Sequence, residues 1–354
     1  MNKPIRVGIL GLGRSGWGIH ANMLRKLPAQ YQIVVVCDAI RERAEASAQE
    51  LGCRVAANSD ALFADAEVDL VVVASYNHLH KIHAVQALQA GKNVLCEKPF
   101  GLTASDVDEM IAAAKKAGKL LTPFQQRRYE KDFLKVWEVV KSGVLGDIVH
   151  VRTCWHGFKR RWDWQTTKAY AGGALNNNGP HPLDHMMCLF GDSEPTVWAQ
   201  AGRYLASGDA EDHLKVILSG KGCPTVEIEL TDVWAYPQDR WTVAGTRGGL
   251  RGNESALEWK WVDFSTLPPR PLSLESTPDR SYNSEKLDWK TDSWKTETVA
   301  AGAGANPNEG PIHEYYQMLY GVLTEGKPLW ITPEQVRRRV AVLEKIRAAI
   351  AVTP

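Results

Sequence analysis

The stretch IRVGILGLGRSGWG, residues 5–18, runs an apolar strand pattern directly into Gly11-x-Gly13-x-x-Gly16 and then into a helix pattern. No other feature constrains the fold as tightly. The first glycine permits a tight turn, the second lets backbone approach a pyrophosphate, and the third lets helix and strand pack closely. The next apolar run, YQIVVVCD, ends in Asp38, 22 residues past Gly16, where a carboxylate can accept hydrogen bonds from an adenosine ribose. With Arg14 and Ser15 in the turn, these residues make a candidate dinucleotide site. Asp38 would repel a 2′-phosphate, so NAD is expected ahead of NADP, although Arg41 and Arg43 stand close enough to reverse that preference.

The same rhythm continues to residue 122. YQIVVVCD leads to the helix pattern IRERAEASAQELG, stopped by Gly52, and VDLVVVAS leads to NHLHKIHAVQALQAG, with Gly91 just past its end. NVLCEKP then precedes a helix opened by the capping-box spacing of Thr103 and Asp106. Valine-rich strands alternating with helices specify a parallel, doubly wound α/β sheet. Beyond residue 122 the helix pattern KDFLKVWEVVKSG leads to DIVHVRTCW, whose alternation suits a strand with one wet face. Further strand candidates lie at 213–218, 225–230 and 241–244, residues 270–310 read as a long polar loop ending in AAGAGANPNEG, and a last helix begins at Thr332 and Pro333 with Val336, Val340, Leu343 and Ile350 as its apolar stripe. The expected domains are residues 1–122, a Rossmann dinucleotide-binding unit, and 123–354, an α+β unit with a mostly antiparallel or mixed sheet, whose final helix can pack back toward the first.

Composition excludes several functions. The chain carries a net charge of +1 and no block of like charges, so nucleic acid and membrane are poor partners. Its six cysteines are scattered with no C-x-x-C pair, which argues against a disulfide framework or a structural zinc and fits a reducing cytoplasm. The N-terminus goes straight into a strand pattern without an apolar leader.

Three more stretches, ASYNHLH (74–80), GKNVLCEKPFGLT (91–103) and PFQQRRYE (123–130), join GGALNNNGPHPLDH (172–185) in making a specific pattern. With them the chain resembles the Gfo/Idh/MocA family of nicotinamide-dependent oxidoreductases, most diagnostically in Glu97-Lys98-Pro99. The resemblance implies a Rossmann domain followed by an α/β domain whose open mixed sheet often joins subunits, hence a homo-oligomer, and carbohydrate or cyclitol substrates. It places Ser75, Asn77, His80 and Gln126 along the cofactor, Glu97 and Lys98 beside the nicotinamide, and Arg128 toward the substrate. Independently, ligands of open α/β sheets bind beyond the carboxyl ends of the strands, where Ser75, Asn77, Glu97 and Lys98 all fall.

Family members typically carry an aspartate four residues before the histidine that here is His181. This chain has Asn177 instead, which can hydrogen-bond a sugar hydroxyl but cannot titrate, so proton transfer is expected at Lys98 or His181. Hydride removal from a carbinol carbon requires the hydroxyl proton to leave with it, and an ordinary histidine titrates near neutrality. Asp184, one helical turn on, can orient the imidazole or hold a substrate hydroxyl. His181 and His185 have metal-ligand spacing, but no third ligand is identifiable, so no metal is expected. In WHGFKRRWDWQ, residues 155–165, Trp155, Trp162 and Trp164 offer indole faces for sugar rings among charged side chains. The expected activity is hydride transfer between NAD and a secondary alcohol of a sugar, glycoside or cyclitol. The alternatives are a redox-neutral NAD-dependent glycosidase, working by oxidation, elimination and re-reduction, and a non-catalytic NAD-sensing regulator.

Overall fold

A computed structural model describes residues 3–296 and 309–352. The first half forms a six-stranded parallel sheet: β1 (Ile5–Leu10), β2 (Tyr31–Cys37), β3 (Arg54–Val55), β4 (Leu70–Val73), β5 (Asn93–Cys96) and β6 (Leu121–Pro123), in the order β3-β2-β1-β4-β5-β6. β4 is four valines and leucines buried on both faces, as a central parallel strand must be. The chain reverses direction across the sheet between β1 and β4, which opens a crevice at their carboxyl ends. The capping box forms: Thr103 Oγ1 accepts the Asp106 N–H and Asp106 Oδ2 accepts the Thr103 N–H, each at 3.0 Å, a cap that contributes about 1 kcal/mol. Two edge strands, β3 and β6, and the short helix Ser59–Ala64 were not legible as separate elements.

The second sheet has eight strands: β7 (Ile148–His156), β8 (Thr196–Gly202), β9 (His213–Ser219), β10 (Thr225–Thr231), β11 (Trp241–Gly245), β12 (Gly248–Gly252), β13 (Ala256–Trp261) and β14 (Lys290–Lys295). Their order is β14-β13-β12-β11-β7-β10-β9-β8. Only β7 and β10 pair in parallel; every other neighbour is antiparallel. The mixed, largely antiparallel sheet is thus present, but with four strands (β8, β12, β13 and β14) beyond those expected. β14 lies inside the stretch read as loop, and most of AAGAGANPNEG lies outside the described residues.

One face of this sheet packs on the helices Lys131–Lys141 and Pro180–Phe190 through Phe133, Val136, Leu183, Met186 and Trp241. The C-terminal helices return to the first sheet. Tyr315, Tyr316 and Leu319 of the helix Glu309–Glu325 join one of its cores, and Val336 and Val340 of the helix Pro333–Val352 join the other. Leu343 of that last helix reaches the core of the second sheet instead. One helix therefore grips both sheets and fixes the groove between them.

Candidate active site

Two adjoining cavities lie where the sheets meet. The smaller, about 420 Å³, follows the glycine turn and the carboxyl ends of β1, β2, β4 and β5, and is lined by Gly13, Asp38, Ser75, Asn77, His80 and Lys98 among others. The larger, about 800 Å³, lies over the second sheet and includes Arg127, Trp155, Asn177, Glu211 and Arg240 in its wall. Arg14, Arg161 and Gln165 line both.

The glycine turn is shaped for a dinucleotide. A Cβ on Gly11 would come within 2.4 Å of the Ala74 carbonyl oxygen, and one on Gly16 within 1.7 Å of the Gly11 carbonyl oxygen, whereas Gly13 faces open space. The first and third glycines let strand and helix close up, and the second leaves a cradle that a phosphate can enter. Asp38 braces the turn: its Oδ2 accepts the Leu12 N–H at 2.6 Å and its Oδ1 accepts the Ile40 N–H at 2.8 Å. Arg43, 3.4 Å away, leans on the same carboxylate. These residues fit NAD. Ser75 Oγ lies 2.9 Å from His83 Nδ1, and His80 is held between the carbonyls of Pro99 and Ser75.

Glu97 is buried, with Oε1 3.2 Å from His20 Nε2 and Oε2 accepting the Lys98 N–H at 3.0 Å. Burial alone would raise its pKa, but the His20 hydrogen bond and charge, with Lys98, bring it to about 2. His20 is in turn 2.7 Å from the Tyr316 hydroxyl, so a helix that the sequence reading missed supports the Glu97-Lys98 corner. Lys98 Nζ donates to the Asn177 carbonyl oxygen at 2.7 Å. Burial first, then the nearby Arg127, Arg14 and Arg161, lower the lysine's pKa.

Asn177 sits at the end of the short helix Ala174–Asn177. Its Nδ2 donates to the Gln165 carbonyl at 2.7 Å, and its Oδ1 accepts from Asn77 Nδ2 at 3.2 Å. Asn77 also donates to the Ala171 carbonyl at 2.9 Å, so two asparagines tie the sheets together. His181 is buried, with Nδ1 3.3 Å from Gln125 Nε2 and its ring stacked on Trp155. Its pKa does not stay near neutrality: burial, followed by the charges of Arg127 and Lys98, pushes it well down. Trp155 is flanked by the Arg127 and Arg240 guanidiniums, 4.9 and 4.7 Å from its ring centre.

Several expected site residues stand elsewhere. Arg128 and Asp184 do not reach the substrate cavity: they form a buried pair, Nε to Oδ2 2.8 Å, shared with Arg339 of the last helix. Removing one partner of such a buried pair would leave an uncompensated charge, so this carboxylate is committed to its arginines and not to substrate. Trp162 is 81% exposed and lines neither cavity. Trp164 lines the cofactor groove rather than the substrate cavity, edge-on to Tyr76 at 5.0 Å. Gln126 is buried with Oε1 unpartnered among the described residues, and lies outside both cavity walls. His185 donates from Nε2 to the Arg127 carbonyl and stacks on Phe133, and among the described residues no third His, Cys, Asp or Glu gathers with it and His181 at metal-binding distance. Cys154, His156 and Glu229 bring ligand atoms within 4.8 Å of one another. However, the Gln238 N–H points at His156 Nδ1, which leaves the proton on Nε2 and no lone pair for an ion.

Glu211 was missed. It lines the substrate cavity, its Oε1 accepts the Leu175 N–H at 2.9 Å, and burial raises its pKa. Its carboxylate lies against Gly173, where a Cβ would come within 2.4 Å of Oε1. The glycine before ALNNN is the only sequence trace of it.

Comparison with known proteins agrees with this geometry. A family model for an oxidoreductase family with an NAD-binding Rossmann fold matches residues 5–125, and a GFO/IDH/MocA C-terminal domain model matches residues 133–251. An oxidoreductase of Schizosaccharomyces pombe is 30% identical over 258 residues, 70% of each chain. The Escherichia coli 2,7-anhydro-N-acetylneuraminate hydratase is 28% identical over 254 residues, 70% of this chain and 67% of that one. The crystal structure of an NAD-binding protein from Listeria innocua superposes with a TM-score of 0.78 at 26% identity, covering 99% of this chain and 95% of that one.

Proposed function

The chain belongs to the Gfo/Idh/MocA family of oxidoreductases, and on that premise we propose that it moves hydride between NAD and a secondary alcohol of a sugar, glycoside or cyclitol. The observation that carries the proposal is the position of Lys98. It lines the cofactor groove, and its Nζ is held by Asn177, which lines the substrate cavity. A proton-handling group at that junction is what alcohol oxidation requires. The polar cavity wall and the carbohydrate-directed name of the Escherichia coli relative support a sugar-like substrate.

When bound, NAD accepts the hydride. Lys98, its pKa already lowered, takes the hydroxyl proton at Nζ as the carbonyl forms, and returns it in the reverse direction. His181 lines neither cavity wall but stacks on Trp155, which does, and it is the second polar group we assign to the reacting oxygen. Trp155, its ring covered by Arg127 and Arg240, stands in the cavity wall, and Asn177 fixes Lys98 through its backbone carbonyl. Trp164 closes the groove wall beside the cofactor.

One observation favours a second reading, redox-neutral cleavage or hydration by oxidation, elimination and re-reduction. That route needs another base for an acidified C–H, and Glu211 is an additional cavity carboxylate with a raised pKa. The test is incubation with NAD and a panel of glycosides and cyclitols, following reduced-nicotinamide absorbance and aglycone release together. Oxidation with NADH accumulation supports the leading reading, aglycone release or a hydrated product without NADH supports the second, and a panel on which no compound is changed contradicts both.

A further inference from the structure

A neutral His181 carries its ring proton on one of two nitrogens, and the packing around the ring decides which. Gln125, next to Gln126, is 4% exposed and lies in the turn after β6. Its side-chain amide faces two atoms. Nε2 is 3.1 Å from the Pro180 carbonyl oxygen and 3.3 Å from His181 Nδ1. A main-chain carbonyl only accepts, so the amide must present its NH2 to Pro180 and not its oxygen. The same NH2 only donates, so Nδ1 must offer a lone pair to it.

We propose that Gln125 is a positioning residue that holds His181 as the neutral tautomer with its proton on Nε2, so that His181 serves the reaction as a hydrogen-bond donor and not as its base. A neutral imidazole carries one ring proton, and Nδ1 is committed as acceptor. The doubly protonated form is disfavoured by burial first and then by the nearby charges of Arg127 and Lys98. Among the described residues Nδ1 is the ring atom that hydrogen-bonds, which leaves the Nε2–H for an oxygen entering beside Trp155, the cavity-wall ring on which His181 stacks. In oxidation the hydroxyl proton then goes to Lys98 alone, and His181 stabilises the developing oxyanion by donation. A neutral donor suits a site that already gathers three arginines around its lysine.

The functional half of this inference rests on the hydride-transfer reading; the tautomer does not, and can be measured without substrate. The full chain, loaded with NAD and labelled with 15N in its histidine rings, is read at neutral pH by long-range proton–nitrogen correlation, with His181→Asn identifying the resonances. The expected result is an unprotonated, pyridine-type Nδ1 and a protonated, pyrrole-type Nε2. Gln125→Glu should reverse the two shifts, because a carboxylate accepts from an Nδ1–H, and Gln125→Met should leave a mixture. Wild-type His181 found as the Nδ1–H tautomer or as an imidazolium overturns the proposal, and so does a folded, NAD-binding Gln125→Glu variant with unchanged shifts. If Gln125→Glu fails to fold against the Pro180 carbonyl, the wild-type and Gln125→Met spectra still decide. A protein that shows the expected tautomer but turns over no alcohol would refute the hydride-transfer reading and leave the tautomer assignment standing.

Discussion

Lys98 is held by the backbone carbonyl of Asn177, 2.7 Å from its Nζ, and not by the asparagine side chain. The side chain is engaged elsewhere. Its Nδ2 donates to the Gln165 carbonyl, a contact that an ionised aspartate would turn into two facing acceptors. This gives a physical reason for asparagine where the family usually has aspartate. Asn177→Asp should destabilise the protein by about 1–3 kcal/mol at neutral pH, the scale of a buried polar group left unpaired. The introduced carboxyl would have a folded-state pKa above its unfolded one, so the penalty should shrink as pH falls and the group protonates. Melting temperatures of variant and wild type at pH 5 and pH 8 check this; a gap that widens in acid contradicts it.

Removing the amine tests the role of Lys98. Lys98→Met should lower turnover by about 100-fold or more while NAD still binds and the fold persists. In the wild type, alcohol oxidation needs neutral Lys98. The rate should therefore rise with pH through a pKa below the lysine reference of 10.5, since burial and the neighbouring arginines lower it. A rate profile rising only near that reference value would show that Lys98 is not so perturbed.

The glycine turn separates folding from cofactor binding. A Cβ on Gly13 meets nothing within 4 Å, so Gly13→Ala should fold normally yet weaken NAD by about tenfold or more, roughly 1.4 kcal/mol, because the methyl occupies the phosphate cradle. Gly16→Ala, aimed 1.7 Å from the Gly11 carbonyl oxygen, should impair folding itself. NAD(H) should bind more tightly than NADP(H), and Asp38→Ala should narrow that preference while loosening the turn through loss of the Leu12 contact. Fluorescence titrations with both cofactors check the three binding outcomes and urea unfolding checks Gly16→Ala; NADP(H) bound more tightly by the wild type would mean that Arg43 governs the ribose end.

Gly173 has φ +94 and abuts the Glu211 carboxylate. Gly173→Ala should destabilise by about 1–3 kcal/mol through backbone strain and displace Glu211 from the cavity. Urea unfolding reads the first effect. Near-wild-type stability would mean that the turn relaxes without strain.

The first sheet was legible because buried parallel strands read as unbroken apolar runs and their turns carry glycine. The second was only partly so. β12 is Gly-Gly-Leu-Arg-Gly, with no strand signal of its own, and β14 is polar and mostly exposed. The helix Glu309–Glu325 does show apolar spacing at Ile312, Tyr315, Tyr316 and Leu319, and could have been read. Within the site, Lys98, Asn177 and Trp155 stand at the cavities as their motifs suggest. Arg128 and Asp184 were misread because their partner, Arg339, comes from the far end of the chain. Glu211 belongs to no motif, and the Gln125–His181 contact depends on a side-chain orientation that spacing cannot reveal.

Net hydride transfer to NAD is decided by the stoichiometry of one turnover series. With a panel alcohol that the protein oxidises in limiting amount and NAD in excess, NADH and consumed alcohol are counted in the same sample. One NADH is expected for each alcohol molecule consumed, and none in Lys98→Met. Many product molecules formed for each bound NAD, with no accumulating NADH, would contradict it and make the reaction redox-neutral, with Glu211 as the first candidate for the second base.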